Sequence, residues 1–591
     1  MAEYEIKNSI GIIPNGTTEI PRNAFKGCTD MKEVVVPGTV TKIGASAFEG
    51  CTALESVSIP DSVIEIGSRC FKECTALKSI AISDSVTEIG SLCFENCTVL
   101  DNVTLPTSIQ IINAGLFLNC SSLTSIEIPS SVKEIVTGFG GSCNLLDGCT
   151  SLSSITVAAG NKVYDSREGC NAIIETATNS LMTGCKNSQI PESVTIINNK
   201  AFENCTGLQS VDFPKSLTKI GDSAFWGSGI NKAIIPDTVS EIGVHAFREC
   251  SSLEEVRLPS SLTCLDHTFY DCTALKSIEI PASVTKFTYW TLYNCTSLES
   301  IRVAAGNTVY DSREDCNAII ETKSNKLLCG CMNTVIPNTV EEIDLNAFLN
   351  CTGLKSITIP VSVKKMGICV FEGCTGLTSL EIPASVEYIP GCITKGCINL
   401  KKIKVDPNNP KYDSREDCNA IIWTEKNWMI AACSCTTIPS SVTKLGGYEG
   451  QTELETIVIP DTVTEIGSDA FKGCTSLKSI EIPASVTLIE SGAFERCTSL
   501  TNMTIPKTVK EVEWNIFDNC TNLESVEILN GTLKTDKEAS VFGNCLKVKV
   551  YVPEGKLQRF QKLLCSNDRY VRLPIDAIIE RPKATKPKKT K

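Results

Sequence analysis

Residues 474–496 read CTSLKSIEIPASVTLIESGAFER, and this 23-residue stretch decides the fold. From Lys478 to Ile482 apolar and polar residues alternate, the period-two pattern of a short strand with one face inward. Pro483 stops that strand, because proline has no N–H to give to a ladder. Ser485 to Ile489 reads as a second extended piece. Ser491-Gly492-Ala493-Phe494 reads as a tight helical or 3-10 turn that carries Phe494 inward. The unit owns Leu477, Ile480, Ile482, Val486, Ile489 and Phe494, and has nothing to bury them against except another copy of itself.

Outward from this stretch the copies follow at a fixed step. Cys28, Cys51, Cys74, Cys97 and Cys120 stand 23 residues apart. The same step joins Cys272 to Cys295, Cys351 to Cys374 to Cys397, and Cys474 to Cys497 to Cys520. A fixed period of about 20–29 residues, with Leu and Ile at set offsets, is the signature of a solenoid. The unit Cys-Thr-x-Leu-x-Ser-Ile-x-Ile-Pro-x-Ser-Val-x-x-Ile-Gly-x-x-Ala-Phe-x-Gly resembles the BspA-like leucine-rich repeat family over roughly residues 12–545. The resemblance implies a right-handed leucine-rich repeat superhelix with a parallel β-sheet, short strands and short helical or 3-10 turns. It also implies a protein-binding role, often at microbial surfaces.

Residues 1–27 are expected to form an N-terminal cap with a truncated first coil, and 28–545 the solenoid. Residues 546–579 form a C-terminal cap: a last strand at Val548–Val552, then a short helix carrying Leu557, Phe560 and Leu564 on one side. The Pro/Lys-rich end, 580–591, is expected to be a basic disordered tail. Three coils are long: Cys149 to Cys205 and Cys295 to Cys351 span 56 residues each, and Cys397 to Gln451 spans 54. Their extra segments are near-copies, such as VYDSREGCNAIIETATNSLMTGC at 163–185. They read as β-hairpin insertions near 160–190, 306–336 and 408–438. Such hairpins either project and build a ligand site or lie on the solenoid and stiffen it. Ile173, Ile174 and Leu181 are too apolar to be left in water, which favours the second reading.

Composition narrows the function. Aromatic residues are 6% and there are two histidines, His245 and His267, both at a variable turn position. They are read as structural or neutral, so no His-based triad is expected. No phosphate-cradling Gly loop and no recurring carboxylate pair appears, and the expectation is no enzyme. No cofactor or metal is expected. In Cys70/Cys74 and Cys93/Cys97 one Cys belongs to the repeating column and the other takes the place of a small Ala. The 32 Cys read as a reduced, buried thiol column. In-register neighbours at about 4.8 Å exceed the Cβ separation of about 3.5–4.5 Å that a disulfide spans. The Tyr-Asp-Ser-Arg-Glu runs at 164–168, 310–314 and 412–416 invite a calcium or anion site, but more simply Asp and Ser cap a turn and Arg pairs locally.

The net charge is −13, and without the six basic groups from Arg581 onward the remainder stands at −19. An acidic body repels polyphosphate, so only the basic tail has the charge for nucleic acid. No apolar run is long enough for a membrane span. The first residues carry acids where an export leader needs bases, so the chain as it stands is expected in the cytoplasm, or at the cell surface or secreted if a leader has been removed. The function expected is a non-enzymatic protein-binding scaffold. The alternative is a surface adhesin for host or neighbour-cell proteins, and a third reading is a carbohydrate-binding or carbohydrate-processing protein. The contact region is placed at Arg257, Glu279 and Arg302, in the strand's polar slot, with Tyr270, Tyr289, Trp290 and Tyr293 nearby. Tyr, Trp and Arg are the usual interface anchors. The slot varies from coil to coil, which fits a recognition surface and equally fits drift on a solvated face.

Overall fold

The computed structural model describes residues 4–138, 145–535, 540–565 and 573–581. Two compact units result: Met1–Leu298 with Val303–Thr308, and Glu299–Arg302 with Val309–Lys591. Each is a stack of the coil read above.

In the first unit, strands Glu33–Val35, Ser56–Ser58, Ser79–Ala81 and Asn102–Thr104 pair in parallel, each one repeat on from the last. Only the middle residue of each strand is buried, as the alternation dictates. A second parallel ladder joins Glu19–Ile20, Lys42–Ile43, Glu65–Ile66 and Glu88–Ile89. The turns form a third line of contact. Phe25, Phe48, Phe71, Phe94 and Phe117 stack face to face with ring centroids 5.3–5.7 Å apart. Their amides are wired forward: Phe48 donates to the Cys70 carbonyl at 2.9 Å and Phe71 to the Cys93 carbonyl at 2.9 Å.

This wiring explains the cysteine of the repeat. The Phe48 carbonyl accepts the amide of Cys51 in its own coil and the thiol of Cys74 in the next, both at 3.2 Å. The same thiol bond recurs at Cys97, Cys120, Cys497 and Cys520. Cysteine is small and apolar enough for the core, yet still donates. Burial pushes these thiols up, to about 12 for Cys51 and Cys474, so they remain protonated donors. Cys97→Ala is therefore expected to lower stability by about 1–3 kcal/mol, and Cys97→Ser, which keeps a donor, by less than half of that. Denaturant melts of the two variants check the order.

Two local expectations need correction. Lys478–Ile482 alternates in burial as read, with Ile480 and Ile482 inside, but makes no strand ladder. Burying alternate side chains needs only an extended backbone. Here the coils are held together by the ladder of Glu465–Ile466 with Leu488–Ile489 and by the turns. The Ser491–Phe494 segment is a hydrogen-bonded turn and not a helix. Gly492 takes φ +63°, a left-handed conformation that a right-handed helix cannot include.

Extra elements precede the first coil and follow the last. Glu5–Lys7 and Ile10–Ile12 form an antiparallel hairpin, and Tyr4 meets the Phe25 ring edge-on at 5.5 Å. At the other end strand Lys549–Val552 is followed by helix Leu557–Leu564, which buries Phe560. A further strand, Ile578–Glu580, pairs with Lys549–Val552 and runs past the expected cap boundary. Two adjacent isoleucines, Ile578 and Ile579, give no period to read. The basic tail beyond Arg581 lies outside the described residues.

Each insertion is hydrogen-bonded into the stack. In the first unit Ala172–Glu175 pairs antiparallel with Ser180–Gly184, whose start continues the second ladder beside Ile196–Ile197. Ile173, Ile174 and Leu181 are fully buried. In the second unit Ala318–Glu321 pairs with Lys326–Gly330, and Ala420–Trp423 with Trp428–Ala432. The Tyr-Asp-Ser-Arg-Glu runs pin these hairpins. Arg167 binds Asp165 at 2.6 Å, Asn179 at 2.9 Å and Ser193 at 3.2 Å. Arg313 and Arg415 repeat the arrangement with Asp311/Asn325 and Asp413/Asn427. Among the described residues no helix is long and apolar enough to cross a membrane.

A candidate aromatic interface on the turn column

The residue after each stacked Phe points outward at the turn. In two runs of coils this position is filled by ion pairs between successive coils, whereas Leu118 and Leu349 fill it with apolar side chains. In the first unit Lys26 meets Glu49 and Lys72 meets Glu95, both at 2.9 Å. In the second unit Lys395 bridges Glu372 at 2.9 Å and Glu449 at 3.1 Å, and Lys472 meets Glu495 at 3.0 Å.

Four consecutive coils of the first unit depart from this. There the position reads Trp226, Arg248, Tyr270 and Tyr293. The neighbouring column, two residues before the position of the stacked Phe, reads Ser223, His245, His267 and Trp290. Arg248 is held between two rings, its guanidinium carbon 4.7 Å from the Trp226 centroid and 4.5 Å from Tyr270. Tyr270 stacks on Tyr293 at 4.6 Å and 8°. His267 stacks on Trp290 at 5.8 Å and 16°, and His245 meets His267 at 5.0 Å. Tyr289 packs against Trp290 at 4.5 Å. All of these rings are half-buried.

Local structure sets the columns. His245 and His267 take φ +60° and +54°, which splays the side chain out of the coil. In the last of the four coils Tyr289–Leu292 closes as a 3-10 turn, and Trp290 takes the corresponding place. The Asp266 carboxylate lies 2.6 Å from His267 Nδ1 and accepts the Thr288 hydroxyl at 3.0 Å. Burial works to raise the Asp266 carboxyl, but the hydrogen bonds from His267, Thr288 and Lys286 outweigh it and hold it below its ordinary value. His245 is pushed down by burial first and then by the charges of Arg248 and His267, so its ring is neutral at pH 7. The block is thus a rigid set of ring faces and edges with one sandwiched guanidinium. Among the described residues no group of three or more His, Cys, Asp or Glu is placed to hold a metal ion.

The five contact residues expected from the sequence fall on different surfaces. Arg257 and Glu279 are exposed on strands Glu255–Arg257 and Ser277–Ile280, with Arg257 reaching Asp237 at 3.3 Å. Arg302 is exposed on strand Ser300–Val303 and belongs to the second unit. Tyr289 and Trp290 sit on the turn, not on the strand face. Trp226 and Arg248 are not among the residues expected from the sequence, and the two histidines, expected to be structural or neutral, sit inside the block. The signal was present: read down the coils, the residue after Phe runs Lys26, Glu49, Lys72, Glu95, and later Trp226, Arg248, Tyr270.

A parallel stack of short coils with this repeat is a leucine-rich repeat solenoid. The chain belongs to the BspA type leucine rich repeat family, whose six-copy profile matches residues 18–147, 178–299, 320–418 and 444–569. Among solved structures it is similar to a leucine-rich repeat protein from Eubacterium ventriosum, with 22% identity and a TM-score of 0.43 over 58% of this chain and 83% of that one. It is also similar to a leucine rich cell surface protein from Faecalibacterium prausnitzii, with 23% identity and a TM-score of 0.34 over 68% and 85% of the two chains. A third is the pneumococcal vaccine antigen PcpA, with 20% identity and a TM-score of 0.38 over 59% and 79%. No curated protein sequence matches the chain.

Proposed function

We propose that the chain is a non-enzymatic protein-binding scaffold and that the aromatic–arginine block of the first unit is its contact region. One observation carries this reading. Over four consecutive coils a column that carries inter-coil ion pairs at Lys26–Glu49, Lys72–Glu95, Glu372–Lys395–Glu449 and Lys472–Glu495 is given to Trp226, Arg248, Tyr270 and Tyr293. Surface ion pairs are worth about 0–1 kcal/mol each, so stability alone gains little from either choice. Stacked rings, in contrast, present broad apolar area that has already lost its side-chain freedom, which lowers the cost of binding. Half-buried Trp, Tyr and Arg are also the residues that dominate interface energies.

The test is affinity capture with the full chain from the native cell and from neighbouring cells. The triple variant Arg248→Ala/Tyr270→Ala/Trp290→Ala is expected to lose the captured protein. The strand-face variant Arg257→Ala/Glu279→Ala is expected to retain it. Each anchor of this kind contributes about 2 kcal/mol, so a single Tyr270→Ala should weaken the measured Kd about 30-fold. Retention of the partner by a folded triple variant contradicts the assignment. Binding of sugars by the same block on a glycan array, with no protein captured, favours the carbohydrate reading instead.

A further inference from the structure

The second unit places cysteine at the left-handed turn position in two successive coils, Cys369 and Cys392. Among the partly exposed cysteines described, no other two occupy one position in adjacent coils. Backbone bonds bracket the pair on both sides: Met366 donates to the Tyr388 carbonyl at 3.0 Å, and Phe371 to the Ile393 carbonyl at 3.2 Å. Lys365 and Tyr388 are paired in parallel. The coils are therefore locked in register across Cys369 and Cys392. Strands in such register lie about 4.8 Å apart, inside the Cα separation of about 4.4–6.8 Å that disulfides span, but parallel Cβ atoms at that spacing stand too far apart, so the bond needs two side chains that turn toward each other.

Register alone does not make a reactive pair, as the buried column shows. There Cys374 and Cys397 turn their thiols to the Phe348 and Phe371 carbonyls, at 3.1 and 3.0 Å. Cys369 and Cys392 differ. Both residues have positive φ, +54° and +67°, the conformation in which His245 and His267, at the same turn position of two successive coils, bring their rings to within 5.0 Å. The groups that face them are Glu372, Lys395 and Glu449. Cys392 Sγ donates to Glu449 at 3.4 Å, and Lys395 neutralises both carboxylates.

We propose that Cys369 and Cys392 form a reversible inter-coil disulfide, a redox modification site on the turn column of the second unit. The oxidant is a small-molecule disulfide such as oxidised glutathione. The thiolate of one cysteine attacks a sulfur of that disulfide, breaks its S–S bond and expels one small thiolate. The second cysteine, losing its proton, attacks the protein sulfur of the mixed disulfide, forms the Sγ–Sγ bond and expels the other. Two protein thiols are oxidised by two electrons, one small disulfide is reduced to two thiols, and the two protons pass to them. The neighbouring Cys392 thiol, then burial, then Glu372 push the Cys369 thiol well up. The reaction is therefore slow near pH 7 and accelerates as pH rises and thiolate forms.

The full chain, held native in an oxidised/reduced glutathione buffer, is acid-quenched, denatured, alkylated and mapped by peptide mass spectrometry. The expected product is one cross-linked peptide pair, Cys369–Cys392, with the other 30 of the 32 cysteines alkylated. Added dithiothreitol should return both to the alkylated pool. In Cys392→Ser the expected product is a glutathione adduct that persists on Cys369. Alkylation of both residues across all buffers overturns the proposal. So do adducts on wild-type Cys369 that persist as long as in Cys392→Ser, or cross-links formed only by other pairs.

Discussion

Phe471→Ala should destabilise the second unit by about 3–5 kcal/mol, the usual cost of emptying a fully buried aromatic site. Phe471 has no exposed surface and lies between the rings of Tyr448 at 5.2 Å and Phe494 at 5.5 Å. The cavity cannot collapse, because its walls are hydrogen-bonded in place. Phe471 donates to the Ala493 carbonyl at 2.8 Å, Tyr448 to the Ala470 carbonyl at 3.0 Å, and Cys497 gives its thiol to the Phe471 carbonyl at 3.1 Å. Whole domains are stable by only about 5–15 kcal/mol, so the loss is a large fraction. In a stack where each coil touches only its neighbours, the damage spreads to the coils on either side. Denaturant melts of the full chain measure it, with Lys478→Ala, an exposed change on the same coil, as reference. Equal melts for the two variants would show that the rings are not what joins the coils.

Ile320→Ala should cost about 2–5 kcal/mol, and it decides what the insertions are. Ile320 lies on the hairpin of the second long coil, opposite Leu327, and is fully buried with Val340 and Ile343. A hairpin that merely projected to hold a ligand would lose under about 1 kcal/mol from the same change. A large loss identifies the insertion as part of the core. The Arg313 contacts with Asp311 and Asn325 then serve to fix it. A negligible loss would free these hairpins for a ligand-holding role.

The coil was legible because its physics is local. Alternation, the stop at Pro483 and the inward Phe494 all follow from neighbours in sequence, and the 23-residue step multiplies the signal. Whether Lys478–Ile482 makes a ladder was not legible, since that depends on the spacing of adjacent coils and not on the segment itself. Ile578–Glu580 was too short to show a period and is a strand only because Lys549–Val552 offers it an edge. The aromatic block was legible only in part. Tyr289 and Trp290 stand out in the sequence, whereas Trp226 and Arg248 gain meaning from contacts 22 residues apart. Arg257 and Glu279, in the strand slot, lie one surface away from the block.

Hydrogen exchange on the native full chain probes the stacking most directly. The amides of Phe25, Phe48, Phe71, Phe94, Phe471 and Phe494 each give their proton to the following coil, as Phe48 does to Cys70 and Phe494 to Ile516 at 2.9 Å. Stacked coils predict slow exchange at Phe25, Phe48, Phe71 and Phe94, recurring at the 23-residue step, and again at Phe471 and Phe494. Protection confined to one compact patch, with the turn amides of the remaining coils exchanging as fast as unfolded chain, would contradict it.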